Sequence, residues 1–193
     1  NTIVGEGVMG TGAVAGASDN VGVGWSALAG LTTGDQNTAI GGQAGRYLTA
    51  GVSNVVIGHQ ALDAAAHDET DNIAIGQTAM GSLKQDGVAS GGKVVKQNIA
   101  IGNSALLGGT LTSSDDVKAC VAIGHTALSS TGTNPQLGTI AIGHSALAAL
   151  TSGAGNVAVG YQAGLALTTG NSNTVLGSGA MDATHVDSDS NTA

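Results

Sequence analysis

Three histidines, His59, His125 and His144, each follow directly on a glycine, Gly58, Gly124 and Gly143. Imidazole is the side chain best suited to bind a transition metal or to change charge near neutral pH. His125 and His144 are 19 residues apart. If that spacing is one coil of a stacked fold, the two rings sit about 4.8 Å apart along the axis. The same place in the other copies holds Glu6, Trp25, Gly42, Gln77, Asn103, Tyr161 and Ser178. Such variety reads as a solvent-facing position, and no metal site is expected there. The carboxylates lead to a similar reading. Asp68, Glu69 and Asp71 cluster beside His67, and Asp115 adjoins Asp116. Acid–base chemistry needs carboxylates held in fixed geometry, whereas these fall where the spacing stretches and read as solvated loops. The tandem Gly-Gly-x-Gly-x-Asp pattern of calcium-binding repeats is missing. No catalytic, cofactor-binding or metal-binding residue is expected.

The remaining chemical side chains are few. Cys120 is a lone thiol, so it cannot form an internal disulfide framework, and it reads as a small buried residue. Trp25, Tyr47 and Tyr161 are the only aromatics, and packing roles are expected for them. Thr32, Thr33, Thr49, Thr151, Thr168 and Thr169 recur at one turn. A flat threonine file would suit an ice-binding solenoid, but long units interrupt it.

The elements that place these side chains follow from one nine-residue phrase. It reads Asn, a β-branched residue, a small apolar residue, Ile or Val, Gly, two variable residues, Ala, then Leu, Met or Gly. Copies start at Asn1, Asn20, Asn37, Asn54, Asn72, Asn98, Cys120, Thr139, Asn156 and Asn173, and an eleventh starts at Asn191. Successive spacings are 19, 17, 17, 18, 26, 22, 19, 17, 17 and 18 residues. A period near this range points to a solenoid. The fifth position is always glycine: Gly5, Gly24, Gly41, Gly58, Gly76, Gly102, Gly124, Gly143, Gly160 and Gly177. Glycine there permits a sharp turn out of a short strand rich in Val, Ile and Thr. The opening asparagines (Asn1, Asn20, Asn37, Asn54, Asn72, Asn98, Asn156 and Asn173) favour a local turn. Stacked in register, they are placed to hydrogen-bond up a ladder.

A second apolar position follows eleven residues after the opening residue, at Leu31, Leu48, Leu150 and Leu167, and a turn glycine follows at Gly34, Gly51, Gly153 and Gly170. One unit is therefore predicted to run strand, glycine turn, Ala/Leu strand, turn. The fold class expected is all-β: a parallel β-solenoid (β-roll or β-helix) of about ten short coils. Residues 1–193 read as one repeat segment of a longer fibre, with loop insertions at about 81–97 and 107–119.

Composition narrows the function classes. The chain has 33 Gly, 1 Pro, no Phe and 2% aromatic residues, with 41% hydrophobic residues overall. Such a chain can build only a thin interior. Its formal net charge of −8 lacks the basic footprint of a nucleic-acid binder. Lys84, Lys93, Lys96 and Lys118, four of the five basic residues, lie in or beside the two longest insertions; they read as exposed loop residues rather than a ligand patch. No apolar run approaches the roughly 18 residues that suggest a membrane span, and no secretion leader is visible.

The phrases Asn37-Thr-Ala-Ile-Gly41, Asn72-Ile-Ala-Ile-Gly76 and Asn156-Val-Ala-Val-Gly-Tyr-Gln-Ala163 carry a family resemblance. The chain resembles the Asn-Thr-Ala-Ile-Gly repeats of bacteriophage tail fibres and related virion appendages. It is also similar to the head repeats of trimeric autotransporter adhesins, which build a left-handed parallel β-roll. It departs from the adhesin heads in its longer unit, its Ala/Leu half and its insertions. Both resemblances imply a homotrimer, an extracellular or virion-associated location, and contact with a cell-surface glycan or receptor through the wider fibre. Physics also favours assembly. A thin coil is expected to leave an apolar stripe, assigned to the Ala/Leu face, that three chains would bury together. The function expected is a structural shaft segment of a phage tail fibre, with a bacterial or archaeal surface adhesin as the alternative. A β-helical polysaccharide-degrading enzyme stands third, because the short coil leaves little room for an acidic cleft.

Overall fold

The computed structural model describes residues 1–10, 16–64, 69–85, 95–111, 116–131, 136–181 and 189–193. Every regular element in them is a β-strand. The first half of each phrase forms a three-residue strand. These run Thr2–Val4, Val21–Val23, Thr38–Ile40, Val55–Ile57, Ile73–Ile75, Ile99–Ile101, Val121–Ile123, Ile140–Ile142, Val157–Val159 and Thr174–Leu176. They form one ten-stranded parallel sheet in which each strand pairs with the equivalent strand of the next coil. Equivalent residues lie directly opposite, as in Ala39↔Val56, Ala74↔Ala100 and Ala122↔Ala141. The chain is a parallel β-solenoid, and its ten rungs at about 4.8 Å each make a rod on the order of 50 Å long.

Glycine at the fifth position ends each strand. Gly24 has φ +122°, a conformation that L side chains rarely adopt, and a Cβ there would meet the Gly41 carbonyl at 2.7 Å. The other nine glycines of the column share that backbone, with φ between +126° and +142°. They let consecutive coils approach closely enough to stack.

The second half of the unit is not the strand that the sequence suggests. It is a ladder of turns, because the seventh and ninth positions adopt left-handed φ: Ser26 (55°) and Leu28 (51°), Thr126 (52°) and Leu128 (50°), Ser145 (55°) and Leu147 (49°). Two left-handed residues separated by one alanine curl the chain instead of extending it. The freed backbone groups bond between coils. Ser145 N–H donates to the His125 carbonyl at 2.9 Å, and Leu128 N–H donates to the Ala146 carbonyl at 2.9 Å. Left-handed φ costs a leucine energy; burial of its side chain opposes that cost, since Leu28, Leu62, Leu106, Leu128 and Leu147 are fully enclosed.

The interior is built from small residues at the centre of each strand (Ala39, Ala74, Ala100, Ala122, Ala141 and Ala158) facing the alanines and leucines of the turn ladder. The aliphatic stripe is therefore not on the Ala/Leu side, which is enclosed. It lies on the outer face of the sheet. Strand residues alternate faces, so when the central alanine turns inward the larger flanking residues must turn out. Ile40, Ile101 and Leu176 are exposed, and the equivalent Val23, Ile57, Ile75, Ile123 and Ile142 are half-buried.

A second wall forms where the coils are longest. Val95–Lys96, Val117–Lys118 and Gln136–Leu137 make a three-stranded parallel sheet, extended by bridges through Thr70 to Val52. Its inward residue, three before the next phrase, tracks coil length. The four 17-residue coils closed by Gly34, Gly51, Gly153 and Gly170 have glycine there, whereas the six longer coils have Ala17, Glu69, Val95, Val117, Gln136 and Ser188. In a short coil there is no room: a Cβ on Gly51 would lie 2.7 Å from Leu48 Cδ2. At Glu69, Val95, Val117 and Gln136 a larger side chain is fully enclosed at that place instead. Of the insertions at about 81–97 and 107–119, residues 86–94 and 112–115 lie outside the described residues. Their described flanks join the walls, including a two-stranded sheet of Lys84–Gln85 with Thr110–Leu111.

Candidate functional site

Each phrase opens at a corner formed by a left-handed residue, such as Gln36 (φ 59°), Asp71 (58°) and Gln97 (60°). The asparagine that follows points inward and is fully buried. In each regular coil its side chain does three jobs. Asn37 Nδ2 donates to Asn20 Oδ1 at 3.0 Å, to the Asp35 carbonyl at 3.1 Å, and across the coil to the Gly51 carbonyl at 2.7 Å. Asn37 Oδ1 in turn accepts the backbone and side-chain N–H groups of Asn54 at 3.1 and 2.9 Å. The ladder continues from Asn1 through Asn98, and again through Asn156, Asn173 and Asn191. It lapses at Cys120 and Thr139. There the Cys120 sulfur contacts the Gln136 carbonyl at 3.4 Å, and the Thr139 hydroxyl donates to the Gly153 carbonyl at 3.4 Å. The glycine column thus shapes the backbone, and the asparagine column hydrogen-bonds to buried carbonyls.

The Cys120 thiol is enclosed, and burial pushes its pKa up to about 11. A neutral, inaccessible thiol is a poor nucleophile. Glu69, expected in a solvated loop, instead points into the interior and is fully buried. His67, Asp68 and Asp115 lie outside the described residues. Among the described residues no three His, Cys, Asp or Glu side chains converge as a metal-ligand set. No helix in them is long and apolar enough to cross a membrane.

What reaches the surface is ordered in files. His125, His144 and Tyr161 stack, with centroid separations of 5.0 and 5.3 Å. Behind the rings, the Thr126 and Ser145 hydroxyls lie 2.9 Å apart, and Ser145 Oγ is 2.9 Å from His144 Nδ1. On the same ledge Asn103 Nδ2 donates to Gln77 Oε1 at 3.1 Å. Elsewhere Arg46 pairs with Asp63 at 3.0 Å and lies 4.3 Å above the centre of the Tyr47 ring. Trp25, Tyr47 and Tyr161 are about half exposed, so their rings stand at the surface and not in the packed interior. Stacking of equivalent rings was visible in the repeat spacing. The outward aliphatic face was not, because a strand of three apolar residues does not reveal which of them turns in.

No family model, curated protein or solved structure matches the chain.

Proposed function

We infer that this chain is a shaft segment of an extracellular homotrimeric fibre, with a phage tail fibre as the favoured host and a bacterial or archaeal surface adhesin as the alternative. The observation that carries the reading is the outer face of the ten-stranded sheet. The first and third residues of each strand are Val, Ile, Leu or Thr in all ten rungs. They form a strip about 50 Å long and two side chains wide. A continuous apolar strip of that length marks an interaction surface. A second and third copy placed against it would bury the strip at about 25 cal/mol per Å². The role is mechanical: a stiff rod holds a terminal binding element at a distance.

The test is molar mass by light scattering. A mass near three times the 18.4 kDa chain is expected, and a stable folded monomer overturns the reading. Ile75→Lys combined with Ile123→Lys should convert the trimer to monomers, since each charge would otherwise be buried unpaired. Flanking sequence separates the two hosts: an assembly chaperone marks the phage fibre, a membrane anchor the adhesin.

A further inference from the structure

The outward residues of the second wall carry an arrangement that the shaft role does not use. Val95 and Val117 pair in register with their side chains buried. Alternation along the strands then turns the next residues, Lys96 and Lys118, outward and directly opposite each other. The two side chains leave the backbone about 4.8 Å apart. Neither ammonium has a carboxylate partner among the described residues. Like charges directly opposite destabilise a sheet. The equivalent outward places in other coils are Ser18, Asp35, Val52, Ala154, Asn171 and Asp189, so cations adjoin only here. Thr70 bridges to Lys96 on one side, and Leu137 pairs with Lys118 on the other.

We propose that Lys96 and Lys118 bind a compact dianionic group, a phosphate carried on a cell-surface glycan. One phosphate presents enough acceptor oxygens to engage two flexible lysine stems at once. The net charge of −8 disfavours a long polyanion, whereas a single phosphate needs only the local cation pair, beside which Asp116 is the neighbouring carboxylate, just ahead of the Lys118 strand. The exposed Leu137 beside the pair offers an apolar surface for the carbon face of a sugar. The glycan source rests on the fibre reading; the anion site itself does not.

The experiment is calorimetric titration of the assembled protein with mannose 6-phosphate, mannose and inorganic phosphate, at ionic strength matched with chloride. Mannose 6-phosphate is expected to bind, mannose to give no heat, and Lys96→Gln/Lys118→Gln to weaken phosphosugar binding at least tenfold. The double variant should keep the parent's molar mass and melt no lower than it, because a like-charge pair has been removed. Phosphosugar binding retained in that variant overturns the site, as does a wild-type response no larger than chloride gives. Inorganic phosphate binding without phosphosugar binding overturns the glycan assignment. Because molar mass is read on the same samples, failure of the lysine site is distinguishable from failure of the trimeric shaft.

Discussion

Asn72 and Asn98 are separated by the longest unit of the chain, yet they meet as any other neighbouring pair does. Asn72 Oδ1 accepts the backbone N–H and the side-chain amide of Asn98, both at 3.1 Å. Asn98 Nδ2 then closes its own coil on the Val117 carbonyl at 2.8 Å. A spacing of 26 residues thus returns the chain to the same inward corner as a spacing of 17 does.

Removing that amide should be costly. Asn98→Ala strands the Val117 carbonyl and removes the acceptor of the Cys120 N–H, which Asn98 Oδ1 holds at 3.0 Å. A buried group left unpaired costs about 1–3 kcal/mol. Asn98→Ala is expected to lower stability by more than about 2 kcal/mol in chemical denaturation. Asn1→Ala, at the exposed first rung, should cost less than half as much.

The lapse in the ladder predicts a gain. Cys120→Asn with Thr139→Asn would reconnect Asn98 to Asn156. New bonds to Asn98 Oδ1 and to the Gln136 and Gly153 carbonyls would replace weak sulfur and hydroxyl contacts. Each net hydrogen bond contributes about 1 kcal/mol, so the melting temperature of the double variant should rise by several degrees. An unchanged or lowered value contradicts the reading of these two positions as gaps.

Two glycines should respond oppositely to alanine. At Gly124 (φ +135°) a Cβ would collide with the Gly143 carbonyl, so Gly124→Ala should disrupt stacking and abolish cooperative melting. Gly138 has φ +62° and nothing within 4 Å of its Cβ site, and its column holds Gln97 and Ala119 in the same conformation. Gly138→Ala should therefore cost only the left-handed φ itself, about 1–2 kcal/mol, and leave melting cooperative.

Cys120 gives a pH signature. Burial raises its folded pKa to about 11 from the ordinary 9.0, so the fold prefers the neutral thiol. That preference is fully present below about pH 9 and fades as pH climbs through 11. Wild type should lose stability over that window beyond any loss in Cys120→Ala. In native protein at pH 8 a thiol reagent should label Cys120 slowly, with full labelling only after denaturation.

Much of this architecture was legible because the phrase recurs with so little variation. A glycine at one place in every copy demands a backbone that only glycine adopts readily, and asparagines at one place imply a ladder. The turn half was not legible, since Leu28 and Leu147 in left-handed φ run against leucine's own preference. Only enclosure by neighbouring coils makes that conformation tolerable, and enclosure is a tertiary fact. The outer aliphatic face was hidden for a related reason. Burying hydrophobic residues is the usual rule, but Ala74 goes inside while Ile73 and Ile75 do not. The narrow coil admits only the smallest of the three. Glu69 was misread because its acidic surroundings suggested a loop, while its place three residues before Asn72 put it in the inward column.

The constancy of the inward corner separates two quantities that usually rise together in a protein, chain length and physical extent. Residues added within a coil leave the axial step unchanged, since Ile73, Ile99 and Val121 still pair in register across the longest spacings. The reach of such a fibre is therefore set in whole increments, by how many times the phrase is written. Between one phrase and the next a gene can lengthen the coil freely to vary what the rod displays, with its height fixed.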